Sequence, residues 1–307
     1  MKVLMTACAL FFSAVVSAAP LNNIVVFGDS LSDNGNLYEY MGHSVPVSPP
    51  YYEGRFTNGP VWVERLAATY FGEKAKAHLL DFAFGGAGIS ENSEDDVLFT
   101  LEREIDSYLL AHGADSAQQS LFIVWIGANN YLGIPDDPEN NVKMVNEGIR
   151  HGLERLVKAG AKHILVLNLP DLGKTPGARD MAMEQELSEY SNSHNQLLAS
   201  TVANLQKEYP EVQWLSYDVN NMVNLILDNP AKFGFNNTNE TCYKVSFKPQ
   251  RSRQSVLKMA AIVPSEAVSD CEGYLFFDPV HPTTAAHQMM SDAAKMLLDT
   301  NGIEFTS

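Results

Sequence analysis

The chain alternates short, nearly continuous apolar runs with segments whose apolar residues recur at helical spacing. Runs of Val, Ile, Leu and Phe without a polar face are typical of strands buried on both sides of a parallel sheet. Amphipathic helices are expected between these runs. The alternation, without any Gly/Ser-rich or Pro-rich linker, predicts one doubly wound α/β domain over residues 19–307. The expected strands are Asn23–Phe27, Leu79–Phe84, Leu121–Ile126, His163–Leu169 and Val212–Tyr217, and the expected helices include Pro60–Phe71 and Pro282–Leu298.

The first 18 residues differ from the rest of the chain. Lys2 supplies one positive charge, and Val3–Val16 is almost entirely apolar or small. Ser17 and Ala18 then provide a small-residue cleavage site, so we expect residues 1–18 to be a signal peptide that is removed on export. A short membrane anchor is the alternative, but a spanning helix needs about 20 apolar residues and this run is shorter.

The chain is strongly acidic. It has 37 Asp and Glu residues against 21 Lys and Arg, a formal net charge of −16. Such a surface repels nucleic acid and anionic lipid at long range. The charge therefore argues against nucleic-acid partners and favours substrates that are neutral, zwitterionic or rich in apolar groups.

A serine follows the first expected strand, and a possible base for it lies near the other end of the chain. Ser30 stands in Gly28–Asp33, and open α/β sheets bind ligands beyond the carboxyl ends of their strands. A serine in this place more often caps the following turn. Asp278 and His281 are three residues apart, so the carboxylate can orient the imidazole while the other ring nitrogen accepts a proton from a hydroxyl. The pattern predicts a nucleophile and its base.

Two other strand ends carry candidate donors for an oxyanion. Gly85 and Gly86 follow one strand, where a backbone without side chains can approach a substrate closely. Asn129 and Asn130 follow another, and a carboxamide N–H can serve as a side-chain donor. Taken alone, the glycine pair is usually a turn, and the asparagine pair usually forms hydrogen bonds within its own loop. Their occurrence at successive strand ends favours acyl-transfer chemistry.

These residues carry a resemblance to a known family. The chain resembles the GDSL/SGNH hydrolases over essentially all of residues 19–307, and two further blocks, Gly54–Trp62 and Asn168–Gly173, resemble its bacterial secreted phospholipase and glycerophospholipid:cholesterol acyltransferase branch. The resemblance implies a flavodoxin-like sheet and no Gly-x-Ser-x-Gly elbow. One position departs from the family pattern, because Asn130 stands where an aspartate is usual. The family blocks are Gly28–Asp33, Phe84–Ala87, Ile126–Asn130 and Asp278–Pro282.

The resemblance also implies the roles of the site residues. Ser30 is expected to be the nucleophile, His281 the base and Asp278 its partner. The Ser30 N–H, the Gly86 N–H and the Asn129 side chain are expected to form the oxyanion hole. No metal or other cofactor is expected. The activity implied is that of a secreted serine esterase acting on lysophospholipids or phospholipids, of the lysophospholipase A type, with acyltransfer as a side activity.

Two alternatives stay open from the sequence. Relatives within the family deacetylate carbohydrates, so a carbohydrate or short-chain esterase is the first. A non-catalytic lipid-binding protein is the second, although the complete set of site residues disfavours it. Hydrolysis of long-chain and short-chain esters separates the three.

Two irregular segments, residues 34–59 and 229–274, are expected near the site because one follows Ser30 and the other precedes Asp278. The second contains Cys242 and Cys271, and an even number of cysteines in an exported chain suggests a disulfide rather than two free thiols. The loop between them is either a solvated surface loop or a lid that contacts lipid and is open to an activating protease. The loop carries more basic than acidic residues, although the chain as a whole is acidic. The basic residues are Lys244, Lys248, Arg251, Arg253 and Lys258, and the acidic residues are Glu266 and Asp270.

Overall fold

The computed structural model describes residues 19–89, 99–112, 114–245, 255–262 and 270–306. The expected signal peptide at 1–18 and the loop cations Lys248, Arg251 and Arg253 lie outside the described residues. Within the described part of the chain, no helix combines the length and the apolar character that crossing a membrane requires.

Five parallel strands form the main sheet, in the order β2-β1-β3-β4-β5. This is the flavodoxin-like order, which changes direction between β1 and β3. The α/β class and the five parallel strands are therefore confirmed. β3 is buried along its whole length and β1 along all but its first residue, which is why both were readable as continuous apolar runs. The strands are β1 (Asn23–Gly28), β2 (Leu79–Asp81), β3 (Ser120–Trp125), β4 (His163–Leu167) and β5 (Gln213–Tyr217).

Helices connect the strands and pack in two groups. α2 packs against α12, and α7 packs against both α4 and α9. Short 3₁₀ turns occur at Gly72–Lys74, Leu172–Lys174 and Pro230–Phe233. The described helices are α1 (Asn36–Tyr40), α2 (Trp62–Phe71), α3 (Ala75–His78), α4 (Leu101–Ala111), α5 (Ala114–Gln118), α6 (Ala128–Leu132), α7 (Pro138–Lys158), α8 (Pro176–Met181), α9 (Glu184–Glu208), α10 (Val219–Asp228), α11 (Ser255–Ala260) and α12 (Thr284–Thr300).

A second sheet of two parallel strands lies within the irregular carboxyl-terminal segment. It consists of β6 (Asn237–Thr241) and β7 (Tyr274–Phe276). Cys242 directly follows β6, and Asp278 comes two residues after β7. The sequence pattern does not predict this sheet, because β6 is polar and has no alternation of apolar and polar residues.

Several element boundaries differ from the expected ranges by one to three residues, and specific contacts explain three of the differences. β2 ends at Asp81 rather than Phe84, since the Asn36 side chain donates to the carbonyls of both Asp81 and Ala83. α12 begins at Thr284 because Pro282 forms an isolated β-bridge with Phe276. α2 begins at Trp62 because the Glu64 carboxylate caps the Val61 N–H at 2.9 Å.

Candidate active site

Ser30 lies in a tight turn at the carboxyl end of β1. The Asp29 carbonyl accepts hydrogen bonds from the N–H groups of Ser32 at 2.9 Å and Asp33 at 3.0 Å. The last strand residue must be glycine, because a β-carbon on Gly28 would lie 2.5 Å from a backbone oxygen of β3. The buried Glu104 carboxylate accepts the Gly28 N–H at 2.9 Å. These contacts fix the direction in which the serine leaves the sheet.

Ser30, His281 and Asp278 form a continuous hydrogen-bonded chain. Ser30 Oγ lies 2.7 Å from His281 Nε2, and His281 Nδ1 lies 2.6 Å from Asp278 Oδ2. The other oxygen, Asp278 Oδ1, accepts the N–H groups of Val280 at 2.9 Å and His281 at 2.8 Å. The exposed fractions are 5% for Ser30, 2% for His281 and 0% for Asp278. In this arrangement the imidazole can accept the serine proton while the carboxylate stabilises the imidazolium.

A fourth side chain, Tyr51, also reaches this chain of hydrogen bonds. Its hydroxyl donates to Asp278 Oδ2 at 2.7 Å, to the same oxygen that faces His281. No sequence pattern singles out Tyr51. The available signal was its place in the aromatic, proline-rich stretch Ser48–Tyr52, which was expected near the site but without a role for any one residue.

The expected donor Asn129 lies at the start of α6, next to the glycine-containing turn that follows β2. Its side chain donates to the Ala87 carbonyl at 2.9 Å, which fixes the orientation of the carboxamide. Asn130 pairs with the Ile89 backbone in both directions, accepting from its N–H at 3.0 Å and donating to its carbonyl at 3.1 Å. An aspartate could not donate the second bond, which gives a physical reason for the asparagine that departs from the family pattern.

The glycine turn is also fixed from the nucleophile side. The Asp33 carboxylate accepts the Gly85 N–H at 2.7 Å together with three N–H groups of the chain from Gly35 to Leu37. Burial raises the pKa of Asp33 to about 6, and the four backbone donors oppose that rise. Gly86 itself has a left-handed φ of 79°, a conformation that favours glycine. Asp33 thus links the Ser30 turn to the candidate oxyanion hole.

Gly86 faces the disulfide-bounded loop. A β-carbon at this position would come within 2.9 to 3.1 Å of three carbon atoms of the Leu257 side chain, on α11. The same loop is tied to the segment after α1 by a hydrogen bond of 3.0 Å from the Val47 N–H to the Ala260 carbonyl. The structure therefore places a leucine directly against one of the expected oxyanion donors.

An apolar cleft opens at Ser30 and His281. It runs beside Asn129 and is lined mainly by hydrophobic side chains from β3, α6, α10, α12 and the segment that follows β7. Asp171 and Lys174 add charged groups to its lining. Its apolar walls include Trp125, Leu132, Met222, Val223, Ile226 and Met290.

The disulfide between Cys242 and Cys271 is present, as predicted, with 5.3 Å between the Cα atoms. The second buried histidine near the site, His287, accepts the Trp62 N–H through Nδ1 at 3.2 Å. Burial lowers the pKa of His287 to about 3, so it stays neutral and joins α12 to α2. Among the described residues, no three His, Cys, Asp or Glu side chains are grouped as metal ligands.

Comparisons with known proteins identify the family of the chain. A model of the family described as GDSL-like Lipase/Acylhydrolase matches residues 24–294. The phosphatidylcholine-sterol acyltransferase of Aeromonas hydrophila is 34% identical over 95% of this chain and 94% of its own length. The secreted effector protein SseJ of Salmonella typhimurium is 31% identical over 89% of this chain, and the match spans 62% of that protein. A carbohydrate acetylesterase from Sinorhizobium meliloti superposes with a TM-score of 0.42, at 15% identity, over 78% of this chain and 95% of its own.

Proposed function

Since the chain belongs to the GDSL-like lipase/acylhydrolase family, we propose that it is an exported serine esterase whose main substrates are lysophospholipids. Phospholipids with two acyl chains are the related substrates. The observation that carries the proposal is the hydrogen-bonded chain from Ser30 Oγ through His281 to Asp278, located where an apolar cleft opens. The proposal includes export through a signal peptide at residues 1–18, in agreement with a disulfide in the mature chain.

The proposed reaction has two steps. His281 Nε2 accepts the proton of Ser30 Oγ as that oxygen attacks the ester carbonyl. The resulting oxyanion is bound by the Ser30 and Gly86 N–H groups and the Asn129 side chain, and each such donor lowers the barrier by about 3–4 kcal/mol. His281 then returns the proton to the leaving glycerophospho-alcohol, and an acyl-serine remains.

In the second step a nucleophile releases the acyl group. Water, deprotonated by His281, attacks the acyl-serine and yields the free fatty acid. A second alcohol in place of water yields a new ester by the same steps, so acyltransfer is the proposed side activity. The name of the Aeromonas hydrophila relative describes such a transfer to a sterol.

The lining of the cleft supports a long acyl chain as the substrate group. Val223 and Met222 lie on α10 and line the cleft, while Leu225 of the same helix is 48% exposed and does not. An acetyl group needs none of these contacts. A carbohydrate or short-chain esterase would therefore have no use for an apolar wall of this extent.

We expect Val223→Trp to reduce fatty-acid release from lysophosphatidylcholine by tenfold or more, because the indole occupies space that the acyl chain needs. Hydrolysis of nitrophenyl acetate should change by less than about threefold. Lost contacts with a long acyl chain raise the barrier by roughly 1–3 kcal/mol, and the acetyl group makes no such contacts. Leu225→Trp, on the exposed side of the same helix, is the matched control and should leave both rates unchanged. Faster cleavage of acetyl esters than of lysophosphatidylcholine by the wild type would reject the lysophospholipase assignment.

We further propose that the loop from Cys242 to Cys271 acts as a lid and as the contact with the membrane surface. The support is the Leu257 side chain, which lies against Gly86, an expected oxyanion donor. The loop presents exposed basic side chains at Lys244 and Lys258, so a protease can reach it. A cut between the two cysteines leaves both ends joined by the disulfide.

Limited trypsin digestion tests the lid. We expect cutting inside the loop to raise hydrolysis of micellar lysophosphatidylcholine severalfold and to leave hydrolysis of a small soluble ester nearly unchanged, because the small ester does not need the covered side of the site. Leu257→Ala in uncut protein should produce part of the same increase. Ile262→Ala, at an exposed position two residues after α11, should not. Complete cutting with no change in activity would disprove the gating role.

A further inference from the structure

Resting on the proposed function, we propose that Tyr51 is a positioning residue of the Ser30-His281-Asp278 chain. It does not touch the reacting atoms. Its hydroxyl holds Asp278 Oδ2 in place and shares that oxygen with His281, so it sets how strongly the carboxylate holds the imidazolium. Neither the family motifs nor the sequence spacing points to this residue.

The geometry around Asp278 carries the inference. Each carboxylate oxygen accepts two hydrogen bonds: Oδ1 from the N–H groups of Val280 and His281, and Oδ2 from the Tyr51 hydroxyl and the His281 ring. With both oxygens held in this way, the carboxylate has one orientation. Without the phenol, Oδ2 keeps only the bond to the imidazole that it has to orient.

Tyr51 is held rigidly in a place that local sequence does not determine. Its side chain is 1% exposed, and its ring contacts Phe277 at 5.2 Å, Tyr243 at 5.6 Å and Phe56 at 6.0 Å between centroids. The next turn of the segment is bound to the loop before α12, where the Thr57 hydroxyl donates to the Pro282 carbonyl at 2.8 Å. The segment from 47 to 57 is therefore hydrogen-bonded at two points close to the triad, through Tyr51 to Asp278 and through Thr57 to Pro282.

The phenol stays a donor over the working range of an esterase. Burial and the adjacent Asp278 charge raise the pKa of Tyr51 well above its ordinary value. Among the described residues, Asp29, Tyr243 and His287 also interact electrostatically with Asp278 or His281. His287 is neutral. Burial raises the pKa of the Tyr243 phenol above its ordinary value. Burial also raises the pKa of Asp29, to about 6. Removing the Tyr51 hydroxyl leaves these three groups in place.

The test compares Tyr51→Phe with the wild type in two assays, lysophosphatidylcholine hydrolysis and inactivation of Ser30 by an organophosphonate. We expect kcat to fall about tenfold with KM changed less than twofold, since a hydrogen bond to a charged group contributes about 1.5–3 kcal/mol. We expect the midpoint of the acidic limb of kcat/KM to move about one unit to higher pH, because Oδ2 without the phenol attracts the imidazolium more strongly. Organophosphonate inactivation should slow and shift in the same way.

The matched control is Tyr70→Phe. Tyr70 also donates to a carboxylate, Asp299, at 2.8 Å, but it lies at the distant ends of α2 and α12. The Tyr70→Phe variant should leave kcat and the pH profile unchanged. A second variant carries 3-fluorotyrosine at position 51, which makes the phenol a stronger donor and keeps its packing. It should move the acidic limb of kcat/KM to lower pH. This variant provides the test if Tyr51→Phe does not fold.

The outcomes separate this proposal from the proposed function. A Tyr51→Phe enzyme with wild-type kcat and pH profile, or a 3-fluorotyrosine enzyme without a shift, overturns the positioning role while lipid hydrolysis stands. Wild type that reacts with the organophosphonate but releases no fatty acid overturns the substrate class, and the two variants then test Tyr51 through inactivation alone. A fall in melting temperature with an unshifted pH profile would show a purely structural tyrosine.

Discussion

Ser30→Ala should lower kcat for fatty-acid release by about 10⁴- to 10⁶-fold, because nucleophilic attack and acyl-enzyme formation both depend on its Oγ. The residual rate would come from binding and from the oxyanion donors, which can still polarise the ester for attack by water. The fold should be unaffected, since the Ser30 hydroxyl bonds to His281 and alanine fits the same turn. Steady-state release of fatty acid from lysophosphatidylcholine, with the melting temperature measured in parallel, checks both statements.

Ser32→Ala is the matched control for this experiment. Ser32 is also buried and lies two residues away, and its Oγ accepts the indole N–H of Trp62 at 3.1 Å. Its removal leaves that donor unpaired and should lower the free energy of unfolding by about 1–3 kcal/mol with little change in kcat. If Ser32→Ala lost as much activity as Ser30→Ala, the assignment of the nucleophile would be wrong.

Asp278→Asn should be the second largest loss, about 10⁴-fold in kcat near neutral pH. The asparagine carbonyl can still accept the two backbone N–H groups that now bind Oδ1. Its NH₂ group then faces His281 Nδ1 and the Tyr51 hydroxyl, where a carboxylate oxygen stood. An amide donor there selects the tautomer with the proton on Nε2, and that nitrogen can no longer accept the proton of Ser30.

Asp299→Asn provides the comparison for that variant. Asp299 also accepts a tyrosine hydroxyl, from Tyr70, and pairs with Lys295 on α12. The same substitution there should leave kcat unchanged. Retention of more than a tenth of wild-type kcat by Asp278→Asn would mean that His281 keeps its tautomer without the carboxylate, contrary to the role given to Asp278.

The sheet and the position of Ser30 at its carboxyl edge were predictable because their signals are local. β1 and β3 are continuous apolar runs. Ser30 follows β1 within two residues, and Asn129 follows β3 within four. The pairing of Ser30 with Asp278 and His281, some 250 positions away, was expected from the residue pattern and from the family blocks. The parallel sheet explains it in part, since it gathers the carboxyl ends of its strands at one edge.

Other parts of the site were not predictable, because they depend on contacts between distant and irregular segments. Tyr51 reaches Asp278 across 227 positions, from a segment without helical or strand periodicity. Leu257 meets Gly86 through a loop in which the sequence showed charge but no packing partner. The β6–β7 sheet was not predicted because its strands are short and β6 is polar.

The most direct measurement is rapid acid quenching of the enzyme during turnover of lysophosphatidylcholine, followed by peptide mass spectrometry. We expect a fatty-acyl ester on Ser30, formed before free fatty acid accumulates and absent from Ser30→Ala. The same quench of Tyr51→Phe should show slower acylation of the same residue. An acyl group on another side chain, or rapid fatty-acid release by a Ser30→Ala enzyme, would contradict the account.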